Sequence, residues 1–414
     1  MNILLIHQYF LEDDDAGGSR WNEMTKMWTH SGNQVVVLAG MMHPNGSEKR
    51  LEYKGKYFVK KCQDEVTVWR CHVSESYNKN FAGRLWGYFS FMFSCLWAGL
   101  FKAKGKFDVV IVTSPPLFVA FSGYIISRIK KVPFVFEVRD LWPESAIDTG
   151  VLTNKLIIKM AYWFESFIYK KATLINVLTP AFYKTLKEVK RVPEQKLIMI
   201  SNASDFSLSE ELLTHFNREA FRKQMNLDGK FVITYVGAHG VANHLQQIIY
   251  AGKALMDTPV LFLLIGQGME KEKLKKLAVD TGVKNVRFID AVPKKEVFRY
   301  ILASEMGASV LKKVDAFKTV YSNKTFDYMS CKTPVLMAID GVSRQLVEEA
   351  NCGTYIEPEN IEEYNKQIRM YLNNKDRLKV EGSNGYEYAK KNFDRDILAQ
   401  KYLQQIEQKA IKNK

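Results

Sequence analysis

Arg139 and Asp140 close a short apolar run, 134–138, and are followed at once by Leu141, Trp142, Pro143 and Glu144. A run that is apolar apart from Glu137 is the pattern of a strand buried between two helix layers. In open α/β sheets ligands bind in the crevice beyond the carboxyl ends of the strands. A charged pair at that point therefore stands where chemistry can be done. A carboxylate there can orient a hydroxyl or accept its proton, which makes Asp140 the candidate catalytic residue, with Arg139 beside it. The competing reading is an Arg–Asp ion pair that only caps the next helix, because perturbed charges also serve structure.

Three further groups of residues follow strand-like runs. After 3–6 come His7, Gln8, Tyr9 and Phe10, then Gly17, Gly18 and Arg20 at the start of a helical stretch. Adjacent glycines let backbone amides approach an anion at a helix N-terminus, although a plain glycine turn fits as well. In the second half, Gly237 and Gly240 repeat this logic, and Gly266 and Gly268 repeat it one strand later. The last group is Ser322, Asn323, Lys324 and Asp327, with Ser322 or Asn323 expected to cap a helix. Lys324 then falls in the first turn, where a cation is unfavourable unless an anion joins it. A surface Lys324–Asp327 pair is the plain alternative. A carboxylate such as Asp327 would also suit vicinal ribose hydroxyls.

These groups need elements to hold them. Strand-like runs at 3–6, 35–38, 109–112, 134–138, 174–177 and 197–200 alternate with helix-length stretches near 20–31, 117–130, 155–171 and 180–189. The more polar 45–80 stretch is open between short strands and a long loop. Residues 203–229 are polar and read as a linker with one short helix. Alternation resumes from 231 and continues to helices expected near 323–331, 343–351 and 360–373. The reading is α/β: two Rossmann-like halves with parallel sheets, 1–202 and 230–393, and a C-terminal helix, 394–414, expected to pack back on the first. A chain of 414 residues is also too long for a single core.

Composition narrows the partners. Hydrophobic residues make up 47%, and 59 basic against 45 acidic residues leave a net charge of +14. That favours polyanions, but no RNP signature, zinc-finger spacing or long basic block supports a nucleic-acid partner. Five cysteines without a C-x-x-C pair and scattered histidines argue for a reduced cytoplasmic protein with no structural metal. The segment 85–101 has no charged residue, and seven of its seventeen are aromatic. It is short of the roughly 20 residues a spanning helix needs. With Lys102, Lys104 and Lys106 beside it, contact with an anionic membrane surface and burial in the core both remain open. A second aromatic-basic helix, 155–171, adds to the case for a membrane-docking first domain.

Together these residues resemble the family 4 glycosyltransferases of the GT-B fold, most closely the fucosamine or colanic-acid-type branch. The resemblance rests on His7 to Phe10 with Gly17, Gly18 and Arg20, and on Ser114 to Pro116. It continues through Glu137 to Ser145, Ser201 and Asn202, Gly237 to Gly240, Ser322 to Tyr328 and Pro334 to Leu336. It implies two domains facing a cleft, a UDP-sugar donor held by the second and an acceptor held by the first. The acceptor would be a polyprenyl-diphosphate-linked saccharide at the inner face of the cytoplasmic membrane. The sugar is expected to be an N-acetylated deoxyhexosamine such as N-acetyl-L-fucosamine, for O-antigen, capsule or related surface polysaccharide. Donor contacts fall on Gly237, Gly240, Asn243, Gly266, Gly268, Ser322, Asn323, Lys324 and Asp327. Acceptor contacts fall on Gly17, Gly18, Arg20, Trp142 and Glu144. No metal or other cofactor is implied.

This chain departs from the family pattern in three places. Thr319 stands at the first acidic position, Asp327 replaces a glutamate at the second, and Asn243 and His244 stand where relatives carry phosphate-directed basic residues. Two alternatives follow: a UDP-sugar epimerase on the same fold, which would turn over without acceptor, and a non-catalytic scaffold subunit, for which Thr319 is the best argument.

Overall fold

The computed structural model describes residues 1–12, 15, 20–42, 49–76, 81–148, 150 and 152–412, excepting the side chains at 81, 82 and 84. They divide into two compact units. One is Met1–Asp15, Ser19–Ser201 and Asp396–Lys414, and the other contains Asn202–Arg395.

The first unit is built on eight strands: β1 (Asn2–Ile6), β2 (Gln34–Gly40), β3 (Phe58–Gln63), β4 (Val66–Cys71), β5 (Val109–Thr113), β6 (Phe134–Val138), β7 (Leu174–Val177) and β8 (Leu197–Met199). Their order is β3-β4-β2-β1-β5-β6-β7-β8. All neighbours are parallel except the β3–β4 hairpin. The 45–80 stretch thus contributes an edge hairpin, whose outer strand carries Lys60 and Lys61, charges that discourage further pairing. β5, β6 and β7 are buried throughout; of the polar residues among them, Glu137 and Asn176 are hydrogen-bonded to each other.

Its helices are α1 (Arg20–His30), α2 (Phe81–Trp97), α3 (Val119–Lys130), α4 (Glu144–Asp148), α5 (Lys155–Lys171) and α6 (Pro180–Lys184). The path from β1 to β2 runs toward one edge of the sheet, whereas β4 to β5, β6 and β7 run toward the other. Right-handed crossovers therefore put α1 on one face and α2, α3 and α5 together on the opposite one. Ring contacts agree: Tyr124 of α3 lies 5.4 Å from Phe167 of α5. α2 is amphipathic rather than wholly buried. Phe91 and Cys95 are inaccessible while Trp86, Phe93 and Trp97 are each more than half exposed.

The second unit has six parallel strands: β9 (Phe231–Val236), β10 (Val260–Ile265), β11 (Val286–Ile289), β12 (Met306–Val310), β13 (Val335–Ala338) and β14 (Gly353–Tyr355). They are ordered β11-β10-β9-β12-β13-β14. Side chains alternate across the sheet. Val232, Val236, Leu261 and Leu263 enter one core, and Ile233, Tyr235, Phe262 and Leu264 enter the other. The helices are α7 (Phe206–His215), α8 (Arg218–Gln224), α9 (Gln246–Ala254), α10 (Lys271–Asp280), α11 (Lys294–Ala303), α12 (Asn323–Ser330), α13 (Val342–Glu349), α14 (Ile361–Asn373) and α15 (Lys375–Phe393).

Two stretches differ from the sequence reading. Residues 203–229 carry two helices, not one short helix. Asp205 caps α7 by accepting from Leu208 N, and Asn217 caps α8 by accepting from Ala220 N. Phe206, Leu212 and Phe221 anchor both in the second unit's core. α15 was unforeseen because Gly382 interrupts its pattern. A Cβ there would stand 2.2 Å from Lys332 O, so the glycine serves close packing. The final helix, α16 (Arg395–Ile406), belongs largely to the first unit. Trp28 Nε1 donates to Ala399 O at 3.0 Å, and the Trp28 and Tyr402 rings meet edge to face at 5.9 Å.

Candidate active site

Each sheet reverses its direction of growth once, between β1 and β5 in the first unit and between β9 and β12 in the second. These switch points are where a ligand crevice opens at the carboxyl ends of the strands.

In the first unit the ends of β1, β5 and β6 bring His7, Gln8, Ser114, Arg139 and Asp140 to that point. Arg139 and Asp140 form no ion pair. Asp140 Oδ2 accepts from Ser145 Oγ at 2.7 Å. Burial raises the Asp140 pKa, the Ser145 hydrogen bond opposes the rise, and Glu144 adds to it. Arg139 Nε is buried without a partner, and burial lowers the guanidinium pKa. His7 is 2% exposed and its Nδ1 is unpartnered. Burial, then the charges of Arg139 and Arg70, hold its pKa well below the ordinary value, so the imidazole is neutral. Both amide atoms of Gln8 are likewise buried and unpartnered. The sequence placed His7 and Gln8 directly after the first strand, and only their burial singles them out.

Three expected acceptor residues have other work. Arg20 is buried, donates Nε and Nη2 to Glu137 at 3.2 Å each, and donates to Ile200 O at 2.8 Å and to Ser201 O. Glu137 also accepts from Asn176 Nδ2 at 2.8 Å. With every charge met inside the unit, Arg20 ties α1 to the sheet and has no reach toward a ligand. Glu144 is ion-paired with Lys190, which also binds Glu165 at 2.7 Å. Burial pushes Glu165, on the inner side of α5, up to about 7. Trp142 packs edge to face on Phe118 at 5.6 Å and is half-buried. Gly17 and Gly18 lie outside the described residues.

In the second unit the fold brings Gly237 to Lys324. Gly237 has φ 139°, and a Cβ there would lie 3.3 Å from Lys324 Cε. The ammonium sits 4.9 Å from the centre of the Tyr235 ring and 3.4 Å from Ser322 Oγ. No ion pair joins it to Asp327, so the surface-pair reading fails. Burial pushes Lys324 down to about 8, with Asp327 opposing. Asp327 is pushed up to about 6 by burial, with Lys294 opposing and Asp205 adding; it accepts from Ser204 Oγ at 3.4 Å.

Capping differs from expectation. Ser322 holds the N-cap position of α12 but its side chain does not cap; Ser322 Oγ donates to Ser309 Oγ at 3.4 Å. Asn323 is the first residue of α12, and its Oδ1 accepts from Asn202 Nδ2 at 2.5 Å. The first amides of α12 thus lack a side-chain cap, leaving them open to an anion.

A Cβ on Gly240 would lie 3.5 Å from Asn243 Oδ1, and the Tyr235 hydroxyl donates to Ala238 O at 2.8 Å. Gly266 and Gly268 have a packing role. Cβ atoms there would strike Gly237 O at 1.9 Å and His239 O at 2.4 Å, because the two strand-end loops lie backbone to backbone. Between them His239 is fully buried with neither ring nitrogen bonded, and burial, then Lys271 and Lys275, push it down to about 4. Thr319 Oγ1 donates to Ala316 O at 2.7 Å, closing a short turn. Among the described residues no group of three or more His, Cys, Asp or Glu could hold a metal ion.

Two Rossmann-like units, each built on a mainly parallel sheet, are the architecture of a GT-B glycosyltransferase. Residues 16–203 match the family described as Glycosyl transferase 4-like domain, and residues 217–388 match Glycosyl transferases group 1, so the chain belongs to the family 4 glycosyltransferases. It is 23% identical over 428 residues to the colanic acid biosynthesis glycosyl transferase WcaI of Escherichia coli strain K12, covering 98% of this chain and 100% of the relative. Among solved structures it is similar to HepE of Anabaena in complex with UDP, with TM-score 0.72, 15% identity and 99% and 100% of the two chains covered. It is also similar to WaaG, a glycosyltransferase involved in lipopolysaccharide biosynthesis, with TM-score 0.68, 18% identity and 97% and 98% covered.

Proposed function

We propose that this glycosyltransferase moves a sugar from a UDP-sugar to a polyprenyl-diphosphate-linked saccharide in bacterial surface polysaccharide synthesis. An N-acetylated deoxyhexosamine such as N-acetyl-L-fucosamine is the proposed sugar. The observation that carries the donor half is Lys324, a cation without a carboxylate partner, beside Gly237 in the first turn of an uncapped helix. A phosphate there satisfies the amides and the ammonium together, and the same groups stabilise the diphosphate as it leaves. Asp327, on the same helix, accepts from ribose hydroxyls. HepE supports the nucleotide choice, having been solved with UDP and with UDP-glucose. WcaI and WaaG, by their names, support the polysaccharide setting.

On the first unit Asp140 orients the acceptor hydroxyl, with Arg139 beside it. No metal takes part in this scheme, since Lys324 and the α12 amides supply the positive charge, and EDTA should leave turnover unchanged. The acceptor would be met at the inner face of the cytoplasmic membrane, with the exposed aromatic residues of 85–101 against anionic lipid. No helix among the described residues is long and apolar enough to cross a membrane.

Calorimetric titration with UDP and GDP, repeated on Asp327→Ala, tests the donor reading. UDP binding that weakens about ten-fold in the variant is expected, the worth of one hydrogen bond to a charged group. Binding of neither nucleotide would sink that reading and bring the scaffold alternative forward.

A further inference from the structure

The helices α2, α3 and α5 share one face of the first unit's sheet. Among their residues there is a single carboxylate, Glu165, and it is 1% exposed and paired inward with Lys190. The outward side of these helices is thus free of acidic groups. It is not free of basic ones: Lys155, Lys159, Lys170 and Lys171 of α5 and Arg128 of α3 are all exposed.

The same side exposes large apolar groups. On α5, Leu156 and Trp163 are each 68% exposed and Met160 is 61% exposed. Their spacing of four and three residues sets them in one stripe, flanked by the lysines. Ile129 of α3 is exposed as well, and Trp86, Phe93 and Trp97 of α2 form a second stripe at spacings of seven and four. Solvent-facing helices normally carry mixed charge. Three neighbouring helices that combine apolar stripes with exposed cations alone match a surface that is apolar below and anionic above.

We propose that α5 is the electrostatic anchor of this unit on an anionic lipid bilayer, with α2 supplying aromatic insertion on the same face. The proposal rests on the membrane contact of the preceding reading and deepens it, dividing the work between the two aromatic-basic helices: lipid charge is read by α5 and insertion is made by α2. α2 has no lysine within its own length, and the exposed Lys102, Lys104 and Lys106 lie beyond its C-terminal end, whereas α5 sets four exposed lysines on the same helix as its apolar stripe. Its cap also favours a firm platform: Asn154 Oδ1 accepts from Leu156 N at 3.0 Å and Ile157 N at 3.2 Å, so the stripe begins on an ordered turn.

The test is flotation of the full chain with vesicles of phosphatidylcholine alone or with about one third phosphatidylglycerol. Wild type should float with the anionic vesicles, less so as salt rises, and remain largely free with neutral ones. Each lysine near an anionic surface is worth roughly five-fold, so Lys155→Glu with Lys159→Glu should lower partitioning at least about 25-fold. Trp163→Ser should weaken it without removing the preference for anionic lipid. All three positions are exposed, and an unchanged melting temperature and UDP titration verify folding.

Equal binding to neutral and anionic vesicles, or undiminished anionic binding by the double variant, would overturn the assignment to α5. A sedimentation mass that halves on Trp163→Ser would overturn it too, making a second copy of this chain the occupant. Loss of UDP binding in wild type would instead fell the donor reading and leave the lipid result standing.

Discussion

The two strand-end sites are built on the same architecture and carry opposite chemistry. At the β9–β12 switch point the candidate ligand-binding groups are backbone amides, a glycine turn and Lys324, a cation with no ion pair among the described residues. At the β1–β5 switch point they are buried side chains: a neutral His7, an unpartnered Gln8, an unpaired Arg139 and a carboxyl, Asp140, with its pKa raised. The first arrangement suits an anion of fixed charge, the second hydroxyls whose protons must be directed. Arg20 sharpens the contrast. It is as charged as Lys324 and as promising in the sequence, yet Glu137 and two carbonyls take up its donors. What separates Lys324 from Arg20 is that no carboxylate forms an ion pair with Lys324, whereas Glu137 pairs with Arg20.

That comparison can be broken in several ways. Asp140→Asn should cost the most, about 10²- to 10⁴-fold in turnover, with UDP affinity unchanged. Turnover near wild type would remove Asp140 from the mechanism. Arg20→Ala leaves Glu137 buried without its cation and should destabilise by about 3–5 kcal/mol in chemical denaturation. A loss of activity without that loss of stability would return Arg20 to the ligand site.

Lys324→Met should weaken UDP roughly 10- to 100-fold. The apoprotein should melt no lower than wild type, since a desolvated cation without a partner is removed. A clear fall in melting temperature would mean that Lys324 is structural after all.

The smallest effect is on pH. Lys324 has a folded pKa of about 8, below its ordinary value, so the unfolded chain binds the extra proton above that point and stability gains as pH rises from about 8 toward 10.5. Asp327, raised to about 6, contributes stability when protonated that is lost as pH rises from about 4 to 6. UDP needs the lysine charged and the carboxylate ionised. Its affinity should therefore pass through a maximum between about 6 and 8. A flat profile across that range in calorimetry would separate these two groups from binding.

Much of this protein is readable from its residues alone. Short runs such as 109–112, and 134–138 with its one charged residue, Glu137, fit strands covered on both faces, and their alternation with helices points to parallel sheets. Gly237 next to a strand end and Lys324 in a first turn are local patterns, so their candidacy was legible too. The α7 and α8 caps were equally local, but the polar composition around them hid two helices inside an expected linker.

Pairing was not legible. Whether Arg20 or Lys324 finds a carboxylate depends on groups more than a hundred residues away, as Glu137 is from Arg20. Glu144 finds its partner closer, at Lys190, 46 residues on and beyond α6, yet no local pattern announces it. Gly266, which the sequence offers as a phosphate cradle, is used by the fold to seat the neighbouring loop at Gly237. Sequence determined which elements form and which strand ends face a crevice, because strand and helix formation respond to local apolar periodicity. Only the tertiary structure decided which charges are spent inside the protein and which are left for a ligand, because neutralising a buried charge requires a second charge brought in by the fold.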